Sequence, residues 1–249
     1  MATLLREARA TLVPDPAGRD GPLPPLMLVL TVVTGLVDAV SYLELGRVFV
    51  ANMTGNVVFT GFALAGAPGF SLAASLVALA AFVVGAFTGG AIVHRTRAAE
   101  HRGRLLLYAL LTETVCVAAA LVVILVSGSP YTGGVRFTLV VLLGLGLGVQ
   151  NAAARAISVP DLKTTVLTLT ITGIAADSRA AGGAGSRAGR RALSVAAMLL
   201  GALGGALAVL NGHPRLPLLL AVVLLVAVTL TAVPMARGGR AWATGHAGG

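Results

Sequence analysis

The sequence is organised around Gly35–Gly61, GLVDAVSYLELGRVFVANMTGNVVFTG, an apolar stretch that polar side chains interrupt. These side chains are one carboxylate, Asp38, and two amides, Asn52 and Asn56. A related stretch, Gly148–Gly173, GVQNAAARAISVPDLKTTVLTLTITG, occurs in the second half of the chain. An ionised carboxylate at the centre of a bilayer costs about 2.5–3.5 kcal/mol even on lenient insertion scales. These polar groups therefore need water, a ligand or one another, and they predict a solute site within the membrane.

The composition is that of an integral membrane protein. Hydrophobic residues make up 57% of the chain, charged residues only 11%, and the mean hydropathy is +0.93, whereas soluble proteins contain about 25% charged residues. The net charge of +9 comes from arginines between apolar runs, a pattern typical of juxtamembrane charge. The apolar runs leave no soluble domain that could bind nucleic acid. A single cysteine, Cys116, excludes an intrachain disulfide framework and a cysteine metal site.

The chain divides into a long membrane domain and two short polar ends. Residues 1–25 contain prolines and charges of both signs, without the apolar core of a signal peptide, and are predicted to form a disordered cytoplasmic arm. Residues 26–235 form a single transmembrane domain, and residues 236–249 form a cytoplasmic tail. The abundance of Ala, Gly, Val and Arg is typical of a GC-rich bacterial genome, so the expected location is the bacterial inner membrane.

Eight apolar runs are separated by turns or charges: 26–45, 52–67, 70–93, 105–126, 135–157, 162–176, 192–210 and 216–234. A helix needs about 20 residues to cross hydrocarbon, and 52–67 and 162–176 are the shortest and most polar of the eight. If all eight crossed, the basic loop 95–104 would face the side opposite to the basic segments 179–191 and 237–240, against the positive-inside bias. The sequence therefore predicts an all-α protein with six transmembrane helices, two short re-entrant or half-crossing helices, and both termini in the cytoplasm.

The two halves of the membrane domain repeat one another weakly. Gly35 matches Gly148, Asp38 matches Asn151, and the GxxxG motif that starts at Gly85 matches the one that starts at Gly201. With three crossings in each half, the repeats, about 26–127 and about 135–235, are expected to be inverted in the membrane, as in many secondary transporters. The GxxxG motifs are expected to pack helices closely.

Buried acids are candidates for proton or solute handling. Asp38 lies well inside the first span with Ser41 on the same face, and Glu113 lies in the middle of the run 105–126. A structural hydrogen-bonding role remains the alternative for both acids. Arg155 is a candidate charge partner, or else simply the cytoplasmic flank of its span.

Amides and threonines mark the two broken segments. The helices of these segments are expected to begin within the membrane, where side chains such as Asn52, Thr54 or Thr164 would cap them and free N–H groups would face an anion. Gln150 and Asn151 add amide groups, with bonding across helices as the alternative. The predicted substrate-binding residues are Asp38, Ser41, Asn52, Thr54, Asn56, Glu113, Gln150, Asn151, Arg155, Thr164, Thr165 and Thr168.

No enzymatic constellation is present in the sequence. The four histidines, at positions 94, 101, 213 and 246, lack the spacing of metal ligands, and no GxxxxGK[ST], GxSxG or HExxH motif occurs. The sequence therefore predicts neither catalysis, nor a cofactor, nor a metal.

A resemblance to a known family rests on two strings, GLVDAVSYLELGRVFVANMTGNVVFTG and GVQNAAARAISVPDLKTTVLTLTITGIAAD. With them, the region of about 26–235 resembles the YoaK family of bacterial membrane proteins, a domain of unknown function. The resemblance implies a six-helix inner-membrane protein and says little about a substrate.

Two functions are compatible with these patterns. The first is a secondary transporter or permease for an unidentified small solute, with proton coupling through Asp38 as one form of it. The second is a non-transporting membrane sensor or scaffold, in which the polar residues only join helices. Membrane lipid is the expected partner in either case, nucleic acid is not, and assembly into a homo-oligomer stays open.

Overall fold

The computed structural model describes residues 2–15, 18–96, 101–160, 162, 167–177 and 188–237. Within these ranges the protein is helical and contains no strand. Six helices are long and apolar enough to cross a membrane, which confirms the all-helical class and the number of long spans, and the two short apolar helices fall in the two short runs. The helices are α1 (Ala2–Leu12), α2 (Leu23–Glu44), α3 (Met53–Leu64), α4 (Leu72–Arg95), α5 (Arg102–Val126), α6 (Gly133–Ile157), α7 (Leu167–Ala176), α8 (Ala188–Leu210) and α9 (Leu216–Arg237).

The N-terminal arm differs from the predicted disordered segment, because it contains helix α1. The Glu7 carboxylate accepts a hydrogen bond from the backbone N–H of Gly189 at 2.9 Å, at the start of α8. The Arg190 side chain donates to the Thr11 hydroxyl at 3.4 Å and forms an ion pair with Asp20 at 3.5 Å. A carboxylate at a helix N-terminus is favoured by the free N–H groups there, and this docking explains the order that composition alone did not predict.

The two ends of the bundle are distinguished by the residues that meet there. At the end called here the basic end, Asp20 contacts both Arg102 and Arg190. At the opposite end, called here the turn end, the connection after α2 meets the start of α6, since Gly46 lies against Arg136. The α5–α6 and α8–α9 connections also meet at the turn end.

Two helix crossings in the bundle are built in the same way, α2 against α8 and α4 against α6. A Cβ atom at Gly35 of α2 would lie 2.7 Å from the backbone nitrogen of Ala202. A Cβ atom at Gly148 of α6 would lie 2.8 Å from the backbone nitrogen of Ala86. Real Cβ atoms do not approach so closely, so both crossings require glycine for backbone contact, as expected for GxxxG packing in lipid.

The GxxxG glycines occupy these two crossings as the sequence predicts. Gly85 packs against the backbone of Leu145, and Gly201 packs against the backbone of Val32. Gly204, on the same helix as Gly201, has open space where its Cβ would lie.

This contrast gives a prediction with a matched control. In Gly201→Ala the new methyl would overlap the Val32 carbonyl, and overpacking of this kind costs about 1–3 kcal/mol. In Gly204→Ala the methyl meets nothing, so the higher helix propensity of alanine leaves stability unchanged or raised. Thermal unfolding in detergent should therefore show a lower Tm for the first variant only. Equal Tm changes for both variants would contradict the close crossing.

Candidate functional site

Asp38 is the centre of a buried hydrogen-bond cluster. Its Oδ1 accepts hydrogen bonds from the backbone N–H groups of Val50, at 2.9 Å, and Ala51, at 3.0 Å. Its Oδ2 accepts a hydrogen bond from the side-chain amide of Asn52. Asp38 is only 4% exposed. Both carboxylate oxygens are therefore engaged by the connection 45–52, which lies between α2 and α3.

Asn56 holds the same connection from the other side. Its Oδ1 accepts from the Phe49 backbone N–H at 2.9 Å, and its Nδ2 donates to the Phe49 carbonyl at 2.6 Å. The side chain is fully buried. Asn56 therefore satisfies both backbone groups of one residue and holds the irregular segment against α3.

The connection 45–52 is buried although it is not helical. Leu45, Val48, Val50 and Ala51 are all at most 3% exposed. Non-helical backbone at membrane depth requires internal hydrogen-bond partners, which Asp38 and Asn56 supply. The sequence pattern predicted a break here but did not show which polar side chains would hold it.

The chain returns beside its starting point after α3. The Arg47 guanidinium lies 5.7 Å from the centre of the Phe70 ring, in the connection that precedes α4. Phe59 on α3 lies between these parts, with its ring centre 5.7 Å from that of Phe49 and 5.2 Å from that of Phe70, and its ring is tilted against both. The connections before and after α3 are thus in direct contact.

A cavity of about 990 Å³ lies beside the start of α3. On α4 its lining runs from Phe82 to His94, about 18 Å of helix at 1.5 Å per residue. Only the first residues of α3 reach it, and α7 contributes residues from its first turns. Five of the predicted site residues line it: Asn52, Thr54, Asn151, Arg155 and Thr168.

The charge on the described lining of this cavity is of one sign. Among the described residues that line it, Arg155 carries the only full charge, His94 is the only other titratable group, and no carboxylate is present. Arg155 is exposed and forms no ion pair with a described carboxylate. The cavity is therefore electropositive.

The start of α3 adds to this field. Asn52 occupies the N-cap position of α3 but makes no capping hydrogen bond with its side chain, which donates to Asp38 instead. The first turn of α3, with Met53 and Thr54, faces the cavity without a side-chain cap. A helix N-terminus carries a partial positive charge and free N–H groups, both of which favour an anion.

The remaining predicted residues lie elsewhere or outside the described ranges. Ser41 is fully buried and donates to the Asp38 carbonyl at 3.1 Å. Gln150 donates to the Thr34 hydroxyl at 3.1 Å, and Glu113 is 1% exposed beside Gln150 in the bundle interior. Thr164 and Thr165 lie outside the described residues.

One titratable residue of the cavity lining, His94, was not among the predicted site residues. His94 was judged only as a metal ligand and set aside, although its position at the end of an apolar run places it near Arg155. The repeat pairs α2 with α6 and α4 with α8, so nothing in the sequence indicated that the end of α4 lies beside the end of α6.

Comparisons with known proteins agree with this architecture. The family model described as "Protein of unknown function (DUF1275)" matches residues 26–231. The UPF0700 transmembrane protein YoaK of Bacillus subtilis (strain 168) is 31% identical over 153 residues, which cover 61% of this chain and 65% of that protein, so the match spans less than two thirds of the relative. No solved structure matches.

The family match covers most of the chain and includes every helix from α3 to α8 in full, together with most of α2 and α9. Together with six long apolar helices and a transmembrane relative, it makes the chain a multi-pass membrane protein. The protein therefore belongs to the DUF1275 family, which confirms the resemblance to YoaK proteins that its sequence predicted.

Proposed function

We propose that the protein is a secondary transporter for a small solute that carries an anionic group. The observation that supports this best is the electropositive cavity of about 990 Å³ at the start of α3. A solute there would meet the amides of Asn52 and Asn151, the hydroxyls of Thr54 and Thr168, and the Arg155 guanidinium. Arginine binds carboxylates and phosphates in a bidentate way, which gives both affinity and orientation.

The short helices support a transport architecture. The contact between Arg47 and Phe70 favours a re-entrant segment that enters and leaves at the turn end. Broken helices that start at mid-membrane form the substrate sites of many secondary transporters. The equivalent glycine crossings of α2 with α8 and of α4 with α6 favour an inverted repeat, in which α6, α7, α8 and α9 correspond to α2, α3, α4 and α5.

The orientation follows from the distribution of basic residues. Among the basic residues that the structure describes, the only arginines at the turn end are Arg47, Arg136 and Arg215. The positive-inside bias places the basic end in the cytoplasm, with both termini. The cavity then opens toward the cytoplasm, since His94 and Arg155 lie in the last turns of α4 and α6.

Within this proposal Asp38 is a positioning residue. Its two oxygens hold Val50, Ala51 and Asn52, and so they fix where α3 begins. Proton coupling through Asp38 stays a prediction, as does any role of Glu113 in it. The sensor or scaffold alternative differs in an observable way, because it needs no movement of a solute across the membrane.

The cavity is tested by a panel of probes and by paired variants. We expect small carboxylates, phosphate or sulfate, but not amines, to raise the Tm of the purified protein, because bound ligand stabilises the folded state. A hit should then be taken up by proteoliposomes. Arg155→Gln should lower the affinity for the hit about tenfold or more, whereas Arg104→Gln, an exposed arginine outside the cavity, should not.

A second pair of variants distinguishes an effect on solute binding from a general effect on helix α7. Thr168→Val should weaken the same probe, while Thr172→Val, on the same helix but outside the lining, should leave binding unchanged. If no anion in the panel stabilises the protein, or if cationic probes do so instead, the anionic substrate class is wrong. Binding without any uptake would favour the sensor.

The role of Asp38 is tested by Asp38→Asn. The amide replaces one acceptor oxygen by a donor that faces other donors, and an unsatisfied buried group costs about 1–3 kcal/mol. We therefore expect a clearly lower Tm in detergent, with Glu44→Gln, at the end of the same helix, as the control that removes a carboxylate without those bonds. An unchanged Tm with loss of flux driven by a pH gradient would instead show that Asp38 carries protons.

A further inference from the structure

A second cavity, of about 660 Å³, lies at the turn end on the outside of the bundle. It is formed where the end of α5 and the start of α9 meet the α5–α6 and α8–α9 connections. It is separate from the solute cavity, with which it shares no residue. Its lining residues are Leu121, Leu125, Ser129, Tyr131, Gly212, His213, Pro214, Arg215, Leu216 and Leu219.

The cavity has an apolar part and a polar part. The apolar part consists of leucines on α5 and α9, of which Leu125 is 52% exposed and Leu219 is 47% exposed. In a membrane-spanning helix such exposed leucines face lipid rather than water. The apolar part is therefore a groove between two helices that is open to hydrocarbon.

The polar part lies beyond the helix ends, at the level of the membrane surface. His213 and Arg215 belong to the short connection between α8 and α9, and both are exposed. Tyr131 is only 3% exposed, and its hydroxyl lies against the Arg215 guanidinium. Burial raises the pKa of Tyr131, so the phenol stays neutral and helps to orient Arg215.

The charge of the polar part selects for an anion. No carboxylate is among the described residues that line this cavity. Glu44 acts on Tyr131 electrostatically from outside the lining. Within the described ranges, Arg215 is one of three arginines at the turn end. Its place above a lipid-facing groove is therefore not explained by a general excess of positive charge there.

We propose that this cavity binds an anionic glycerophospholipid from the leaflet at the turn end. The phosphate would bind Arg215 with His213 beside it, and the start of one acyl chain would lie along the leucines of α5 and α9. Basic pockets between transmembrane helices bind acidic headgroups in this way. A zwitterionic lipid lacks the net charge that the polar part selects, and a soluble phosphate lacks the chain that the groove would cover.

The headgroup contact is tested on the purified full-length protein by native mass spectrometry. Phosphatidylglycerol should bind at least tenfold more tightly than phosphatidylcholine with the same chains, which corresponds to about 1.4 kcal/mol. Arg215→Gln should remove most of that preference. Arg47→Gln, at the same end but outside the cavity, should keep it.

The acyl-chain contact is tested by neighbouring leucines. Leu219→Asn should weaken phosphatidylglycerol binding, whereas Leu220→Asn should not, because Leu220 is similarly exposed, at 43%, but does not line the groove. This pair remains informative if Arg215→Gln does not fold. Glycerol 3-phosphate should compete poorly with the lipid.

Several results would overturn the lipid site. They are equal binding of the two lipids, an equal loss in Arg47→Gln and Arg215→Gln, an equal loss in the two leucine variants, or full competition by glycerol 3-phosphate. The last of these would assign the cavity to a soluble anion. All of these readouts are independent of transport.

Discussion

The hydrogen bonds from the connection 45–52 to the Asp38 carboxylate are the constraint on which the site depends. Backbone that leaves a helix inside a membrane must find partners within the protein. Asp38 supplies two acceptor oxygens to Val50, Ala51 and Asn52, and Asn56 pairs with both backbone groups of Phe49. The chain can therefore turn back beside α2 before α3 begins.

A cavity forms beside the start of α3 because the neighbouring helices α4 and α6 are held together by close contacts. The glycines of α4 and α6 bring these two helices into backbone contact at Gly85 and Gly148, and the cavity lies along the same pair of helices toward His94 and Arg155. A close helix crossing on one side and a buried, hydrogen-bonded segment on the other leave an opening between them. Its lining is polar at the start of α3 and basic at the ends of α4 and α6.

Much of this fold could be predicted from the sequence because its signals are strong ones. Length and hydropathy predicted six long apolar helices and two short ones, and GxxxG spacing predicted where backbones would touch. Composition predicted a disordered N-terminal arm, whereas the structure has helix α1 there, and Glu7 on that helix bonds the start of α8. Contacts between segments so distant in sequence leave no periodic pattern that could reveal them.

The roles of individual polar residues were harder to predict. Asn52 and Asn56 are both amides in one short string, yet Asn52 lines the cavity and Asn56 is fully buried against Phe49. The positions of Asn52 and Asn56 in the sequence do not show which of them lines a cavity and which holds the backbone. What separates them is the path of the connection 45–52, which the sequence does not specify in three dimensions.

This division of polar residues has a consequence for motion. The connection 45–52 is joined to α2 by three hydrogen bonds to Asp38. It is joined to α3 by two hydrogen bonds between Asn56 and Phe49 and by the contact of the Phe49 and Phe59 rings, so the three parts form one unit. Opening the cavity toward the turn end by separating these parts would expose backbone groups to hydrocarbon, at a cost of several kcal/mol for each unsatisfied group. We therefore expect any alternating access to move α2 and α3 together, with the helix crossings at Gly35 and Gly148 as the surfaces along which the two halves shift.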